Sequence, residues 1–483
     1  MNQELSSYKP SKAHSLKFII MSVIGVFLFM VPLPVFETID GERVRTAFNI
    51  PLGFAIEWIG GRINALSING FGLLFLLAAA VITISLLGSI LAYTVKPKFL
   101  MQNERLARLF RCGIVYFISK IIGFILVWLV FVNANFELSE ILIFGQPVFG
   151  IVLDRWDGAG LMMSLISGST GLMAIFIVLG IAIPLLTDFG LMEFLGILIR
   201  KVVRVLFTLP GRSSIDLLGS WFSSSAASVI ITRDQHEKGY YTGREAAAIC
   251  VNFTLVSLPF TFVVANFIDL TGHFALFYLT ICVVSIILAM IMPRIWPLRR
   301  IKDEYLPEVG KQIDEEVPKN TGMFRWAVKS ASKRASEVGP VDVVKSGAFN
   351  WLNIFMDLIP VILAWGTIAL VINAETQLFH WIGRPFGELM QLMRVPYAMD
   401  YASATVVGFV DMFIPAVLLE GAPFAPRFII GALSIVQIIY LAETGILILK
   451  SKIPLNIFHL AILFVMRTVF ALPLIVLMHW ILF

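Results

Sequence analysis

Charged side chains are what this chain has least of. Asp, Glu, Lys and Arg make up 14% of its 483 residues, against about 25% in an average soluble domain. A soluble fold of this length needs a polar shell. This composition cannot supply one, because 58% of the residues are hydrophobic and the mean hydropathy is +0.87. The hydrocarbon core of a bilayer is itself apolar and can face such a surface.

Cysteine is nearly absent too. Cys112, Cys250 and Cys282 lie far apart. No CxxC or Cys/His spacing points to zinc, and no disulfide framework is implied. A GxxxxGK[ST] phosphate loop and a dinucleotide fingerprint are also missing. No nucleophile stands beside a base as covalent catalysis requires. These absences argue against an enzyme and call for no cofactor. The net charge is +5. The basic residues are spread along the chain, which suits oriented membrane loops rather than nucleic acid.

What is present is a series of long apolar runs, near 16–35, 68–95, 112–133, 171–189, 246–268, 273–292, 351–373, 427–449 and 455–482. Each approaches the roughly 20 residues that a helix needs to span a bilayer. The first follows Lys9, Lys12 and Lys17, but is too long for a signal peptide and lacks a small-residue cleavage site. It reads as a retained span. Stretches 213–232 and 398–420 are apolar but interrupted by small and polar residues, as re-entrant hairpins are. Stretches 190–209 and 377–395 carry charges at helical spacing and read as interfacial helices. The expectation is an all-α, polytopic transmembrane helical bundle with nine full spans and two re-entrant helical hairpins.

Lysine and arginine set the orientation. With the N-terminus cytoplasmic, 28 basic residues fall inside and seven outside, leaving Lys120 and Arg467 within spans. The only long polar stretch, 293–350, contains Pro307, Pro318 and Pro340. It reads as a cytoplasmic, solvated linker with a short amphipathic helix near 323–338.

This linker separates two blocks of the same element order: span, interfacial helix, broken segment, two spans. The chain divides into an N-terminal region with three spans (1–170), a first repeat (171–292), the linker (293–350) and a second repeat (351–483). Under the charge-derived topology the repeats are inverted. That architecture belongs to secondary transporters, whose solute site lies at the repeat interface.

Ionisable groups at membrane depth are costly and mark functional candidates. Asp411 sits mid-way through the second broken segment, four residues before Pro415. It can bind a cation, a proton or a polar solute, or simply cap a half-helix. Glu443 is a candidate protonation site, and Gln437 lies six residues earlier. Arg467 is too deep to snorkel, and pairing with Glu443 or Asp411 is expected. The first broken segment offers Ser223, Ser224 and Ser225 to a solute, and the following span offers Asn252. Serines in spanning helices also serve as packing glue.

The run Gly408-Phe409-Val410-Asp411-Met412-Phe413-Ile414-Pro415-Ala416 resembles a signature of the YjiH-type bacterial membrane proteins, which carry the nucleoside-recognition or Gate domain. The resemblance covers about 171–292 and 351–482. It implies a multi-pass protein of the bacterial inner membrane, with the lipid bilayer and a small polar solute as partners, nucleoside-like by family. Coupling to a proton or sodium is expected, and homo-oligomers are compatible with the class. A non-transporting scaffold of the Gate-domain type is the alternative.

Overall fold

A computed structural model describes residues 8, 11–39, 42–68, 71–97, 110, 113–136, 152, 163, 166–167, 171–222, 225–311, 322–353, 355–356 and 359–483. The chain begins with α1 (Lys12–Met30), capped by Ser11, whose side chain accepts from the His14 N–H. An antiparallel hairpin of β1 (Leu33–Ile39) and β2 (Glu42–Asn49) follows, then α2 (Pro51–Asn64) with proline in its first turn. Two short strands, β3 (Ser67–Ile68) and β4 (Phe71–Gly72), lead into α3 (Leu73–Thr94), and α4 (Ile114–Phe136) follows.

The first repeat opens with α5 (Leu172–Thr187) and the strongly amphipathic α6 (Leu191–Phe207). A helical hairpin of α7 (Ser213–Phe222) and α8 (Ser225–Glu237) comes next. Then come α9 (Gly243–Asn252), α10 (Leu258–Phe267) and α11 (Phe274–Ile291). After the linker helices α12 (Met323–Ser336) and α13 (Pro340–Asn353), the second repeat follows the same order. It has α14 (Ile359–Glu375), the amphipathic α15 (Leu378–Leu392) and a hairpin of two short helices, α16 (Ala404–Val407) and α17 (Ile414–Leu418). It ends with α18 (Phe424–Val436), a π-turn at Leu441–Gly445 running into α19 (Ile446–Leu449), and α20 (Ile457–Leu482).

The protein is therefore a multi-pass, α-helical membrane protein with re-entrant hairpins. Among the described residues, five helices are long and apolar enough to cross a membrane: Lys12–Met30, Leu73–Thr94, Tyr116–Asn133, Thr271–Arg294 and Ile457–Leu482. The pair α14 and α15 passes the same test, but is bent by 81°. That bend turns the amphipathic α15 out of the α14 direction, as an interfacial helix requires. The expected nine continuous spans are corrected here. The α5 helix has only 16 residues, and the runs 246–268 and 427–449 are each two pieces joined by non-helical backbone.

The N-terminal region is stitched to the second repeat. Ser85 donates to the Met356 carbonyl at 2.7 Å, and the Trp365 indole donates to Ser119 at 2.8 Å. A Cβ at Gly123 would lie 3.1 Å from the Pro360 carbonyl oxygen, so glycine sets how closely α4 and α14 approach. The linker is also more than a solvated tether. Trp326, Ala327, Ala331 and Ala335 form one buried stripe of α12, at the spacing of a helix face. That stripe packs on Ile197, Phe194, Phe189 and Phe18.

Candidate functional site

Each repeat interrupts a helix at the same place in its order, and the freed backbone groups are satisfied by side chains. In the first repeat the break spans 253–257, between α9 and α10. Pro259 has no N–H to bond back into a preceding turn, and Ser257 caps α10 by accepting from Phe260. The Cys250 carbonyl accepts from Thr254 at 2.6 Å, and the Phe253 carbonyl accepts from Ser220 of the first hairpin. In the second repeat the break spans 437–440. Ile438 there has φ +64°, a left-handed conformation that a β-branched residue adopts only under constraint. The Tyr440 hydroxyl lies 2.8 Å from the carbonyl oxygens of both Ser434 and Ile435. Thr444 donates to the Ile438 carbonyl at 3.1 Å.

The two breaks meet at Arg467. Its guanidinium is fully buried. Nε and Nη2 donate to the Val436 carbonyl at 3.1 and 2.7 Å. Nη1 donates to the Val251 carbonyl at 3.0 Å and to Asn252 Oδ1 at 2.9 Å. Asn252 is itself held by a 2.9 Å bond from Nδ2 to the Ala248 carbonyl. The expected pairing of Arg467 with Glu443 or Asp411 is thus overturned: among the described residues it forms no ion pair. The reason lies in the breaks. Both first halves end at Arg467, and helix C-termini carry partial negative charge on their free carbonyls.

Gln437 is fully buried in the second break. Its Nε2 donates to the Thr405 carbonyl at 2.7 Å and to the Thr468 hydroxyl at 2.8 Å, while its Oε1 has no hydrogen-bond partner among the described residues. Gly408 makes room for it: a Cβ there would lie 2.5 Å from Gln437 Oε1. The Leu441 N–H donates to the Phe409 carbonyl at 2.8 Å, tying hairpin to break.

The hairpins also reach across to the opposite repeat. Ser225, at the tip of the first hairpin, donates to Glu443 Oε1, in the π-helical turn just after the second break, at 2.9 Å. Phe413, at the tip of the second, meets Phe267 and Phe260 of α10 at ring-centroid distances of 5.1 and 6.4 Å. Asp411 is buried, and its Oδ1 accepts from the Phe413 N–H at 2.9 Å. This places it at the turn of the second hairpin, where its carboxylate closes a local turn onto the backbone two residues on.

Of the sequence-level candidates, the structure joins Ser225 to Glu443 and Asn252 to Arg467. Gln437 sits beside Arg467 through Thr468, and among the described candidates Asp411 forms a hydrogen bond to none of the others. Ser223 and Ser224 lie outside the described residues. Tyr440, Thr405, Thr468 and Thr444 are not candidates that the sequence alone points to. The only signal for them was hydroxyls recurring beside the candidates in otherwise apolar runs.

Two helical repeats, each with a hairpin and a broken helix, exchange hairpin tips around a buried polar junction. The nucleoside-recognition (Gate) family matches residues 169–274, which covers the first repeat up to the start of its last helix. An uncharacterised protein of Alkalihalophilus pseudofirmus is 40% identical over 473 residues, covering 97% of this chain and 95% of that one. The chain belongs to the same family, the YjiH-type membrane proteins with a nucleoside-recognition domain. Among solved structures it is similar to a doubly substituted CNTnw in an outward-facing state, with TM-score 0.41, 15% identity and 96% of each chain covered. CNTnw in an inward-facing, substrate-bound state gives TM-score 0.37 at 14% identity, covering 88% of this chain and 98% of that one.

Proposed function

We propose that this chain is a secondary transporter of a small polar organic solute, nucleoside-like in chemistry, and that transport is coupled to an ion. The observation that carries this reading is the exchange of hairpin tips between the repeats, Ser225 to Glu443 and Phe413 to α10. Irregular backbone at membrane depth is tolerated where it is buried in protein or lines a polar cavity, and discontinuous helices at a repeat interface are how transporters build solute sites. The junction supplies hydroxyls, an amide and carboxylates. These are the partners that the ribose hydroxyls and base edges of a nucleoside require. The nucleoside-recognition domain in the first repeat supports the same solute class.

The experiment is uptake of labelled nucleosides, nucleobases and amino acids into liposomes holding the purified protein, with and without proton and sodium gradients. Saturable, gradient-dependent uptake of a nucleoside is expected. An absence of uptake for every solute, together with no solute-dependent rise in melting temperature, would leave the scaffold reading in its place.

A further inference from the structure

The Arg467 guanidinium is an unusual tenant for the centre of a membrane protein. It is fully buried, and its four hydrogen bonds all go to carbonyl-type oxygens: Val251 O, Asn252 Oδ1 and, twice, Val436 O. Those oxygens come from the last residues of α9 and α18, the first halves of the two broken helices. A helix C-terminus behaves as roughly half a negative charge. Two such ends converging on one point make about one unit, which a single guanidinium balances without a carboxylate. Carbonyl oxygens at unwound segments and half-helix C-termini are also the ligand set by which transporters hold sodium.

We propose that the oxygens of Val251, Asn252 and Val436 form a monovalent-cation site that the chain fills with its own guanidinium. Arg467 is then a tethered cation, and this junction takes no mobile sodium ion. The inference rests on the transport reading only in calling the displaced ion a coupling ion. Where transport is ion-coupled, the mobile ion binds elsewhere than at this junction. Arg467 also becomes a positioning residue. It holds the two breaks together, one from each repeat, so any motion of one repeat against the other must carry or release it.

The test uses purified full-length protein and reads melting temperature at constant ionic strength, with choline chloride exchanged for sodium chloride or for low concentrations of guanidinium chloride. The parent protein is expected to respond to neither exchange. Arg467→Gln vacates the site, and its melting temperature is expected to rise saturably, by about 3 °C or more, with sodium or with guanidinium. If Arg467→Gln yields no folded protein, Arg467→Lys carries the test. Its ammonium keeps the charge but reaches fewer oxygens, so a lower melting temperature without a sodium response is expected. A saturable sodium response in the parent or in Arg467→Lys overturns the proposal. So does a folded Arg467→Gln protein that ignores both cations. No readout here involves the transported solute, so failure of this inference and failure of the transport reading are distinguishable.

Discussion

Ser225 and Glu443 stand 218 positions apart in the chain and 2.9 Å apart in space, hairpin tip of one repeat against broken helix of the other. A hydrogen bond to a charged group contributes about 1.5–3 kcal/mol, more than a neutral one does. Groups in direct contact show coupling energies of about 0.5–3 kcal/mol in double-mutant cycles. Ser225→Ala and Glu443→Ala are each expected to destabilise the protein, and the double variant less than their sum. Denaturant titration of the four proteins in detergent measures it. Strict additivity would mean that the hairpin tip is not tied to the opposite repeat.

Gly408 is fixed by the amide it faces. The Gln437 side chain is pinned by bonds to Thr405 and Thr468, so it cannot swing away from a new methyl group. An alanine Cβ would sit 2.5 Å from Gln437 Oε1 and 3.4 Å from Pro415 Cγ. Overpacking of this kind costs about 1–3 kcal/mol. Gly408→Ala should lower the melting temperature, whereas Gly61→Ala, with nothing within 4 Å of the added Cβ, should not. Equal melting temperatures for the two variants would show that the second break yields easily.

Element order was legible in the sequence because it is written in local patterns. Amphipathic spacing located the helices Leu191–Phe207, Leu378–Leu392 and Met323–Ser336 within a few residues. The breaks were not legible. In 246–268 the only local cue was Pro259, which lies just past the break at 253–257. In 427–449 no proline or glycine falls between 436 and 441. That break is imposed by tertiary bonds: Tyr440 turning back on Ser434 and Ile435, and Arg467 reaching Val436 from 31 residues away. The depth of Arg467 correctly demanded a partner. The carboxylate was the wrong guess because the carbonyls it uses become available only once both helices have broken.

Glu193 lies on the interfacial α6, where burial raises its carboxyl above the usual range and Arg334, 3.8 Å away, offsets only part of this. A carboxyl whose folded value is raised contributes stability below its unfolded value and loses that contribution as pH rises through the folded value. Ionised Glu193 therefore burdens the native state at neutral and alkaline pH. Glu193→Gln should melt higher than the parent at pH 8, with the difference shrinking as the pH falls toward the ordinary carboxylate range. A difference that is constant over pH would mean that the effect of the substitution is packing and not charge.

Asp411 separates structure from function most sharply. One carboxylate oxygen accepts the Phe413 N–H at 2.9 Å, which fixes the turn of the second hairpin. An asparagine offers the same acceptor in the same shape, so Asp411→Asn should keep the fold, with a melting temperature close to the parent's. Asp411→Ala removes the acceptor and should lower stability by about 1 kcal/mol, as loss of one intramolecular hydrogen bond does. A purely structural aspartate would therefore leave uptake normal in the Asn variant and impaired only in the Ala variant. If the carboxylate binds the solute or the coupling proton, both variants lose uptake alike, because the charge-assisted bond, about twice as strong as a neutral one, is gone from each. The measurement is uptake in liposomes, with melting temperature recorded on the same preparations. We expect uptake to be lost in Asp411→Asn at unchanged stability, and unchanged uptake at every pH and sodium level would assign Asp411 to the hairpin turn alone.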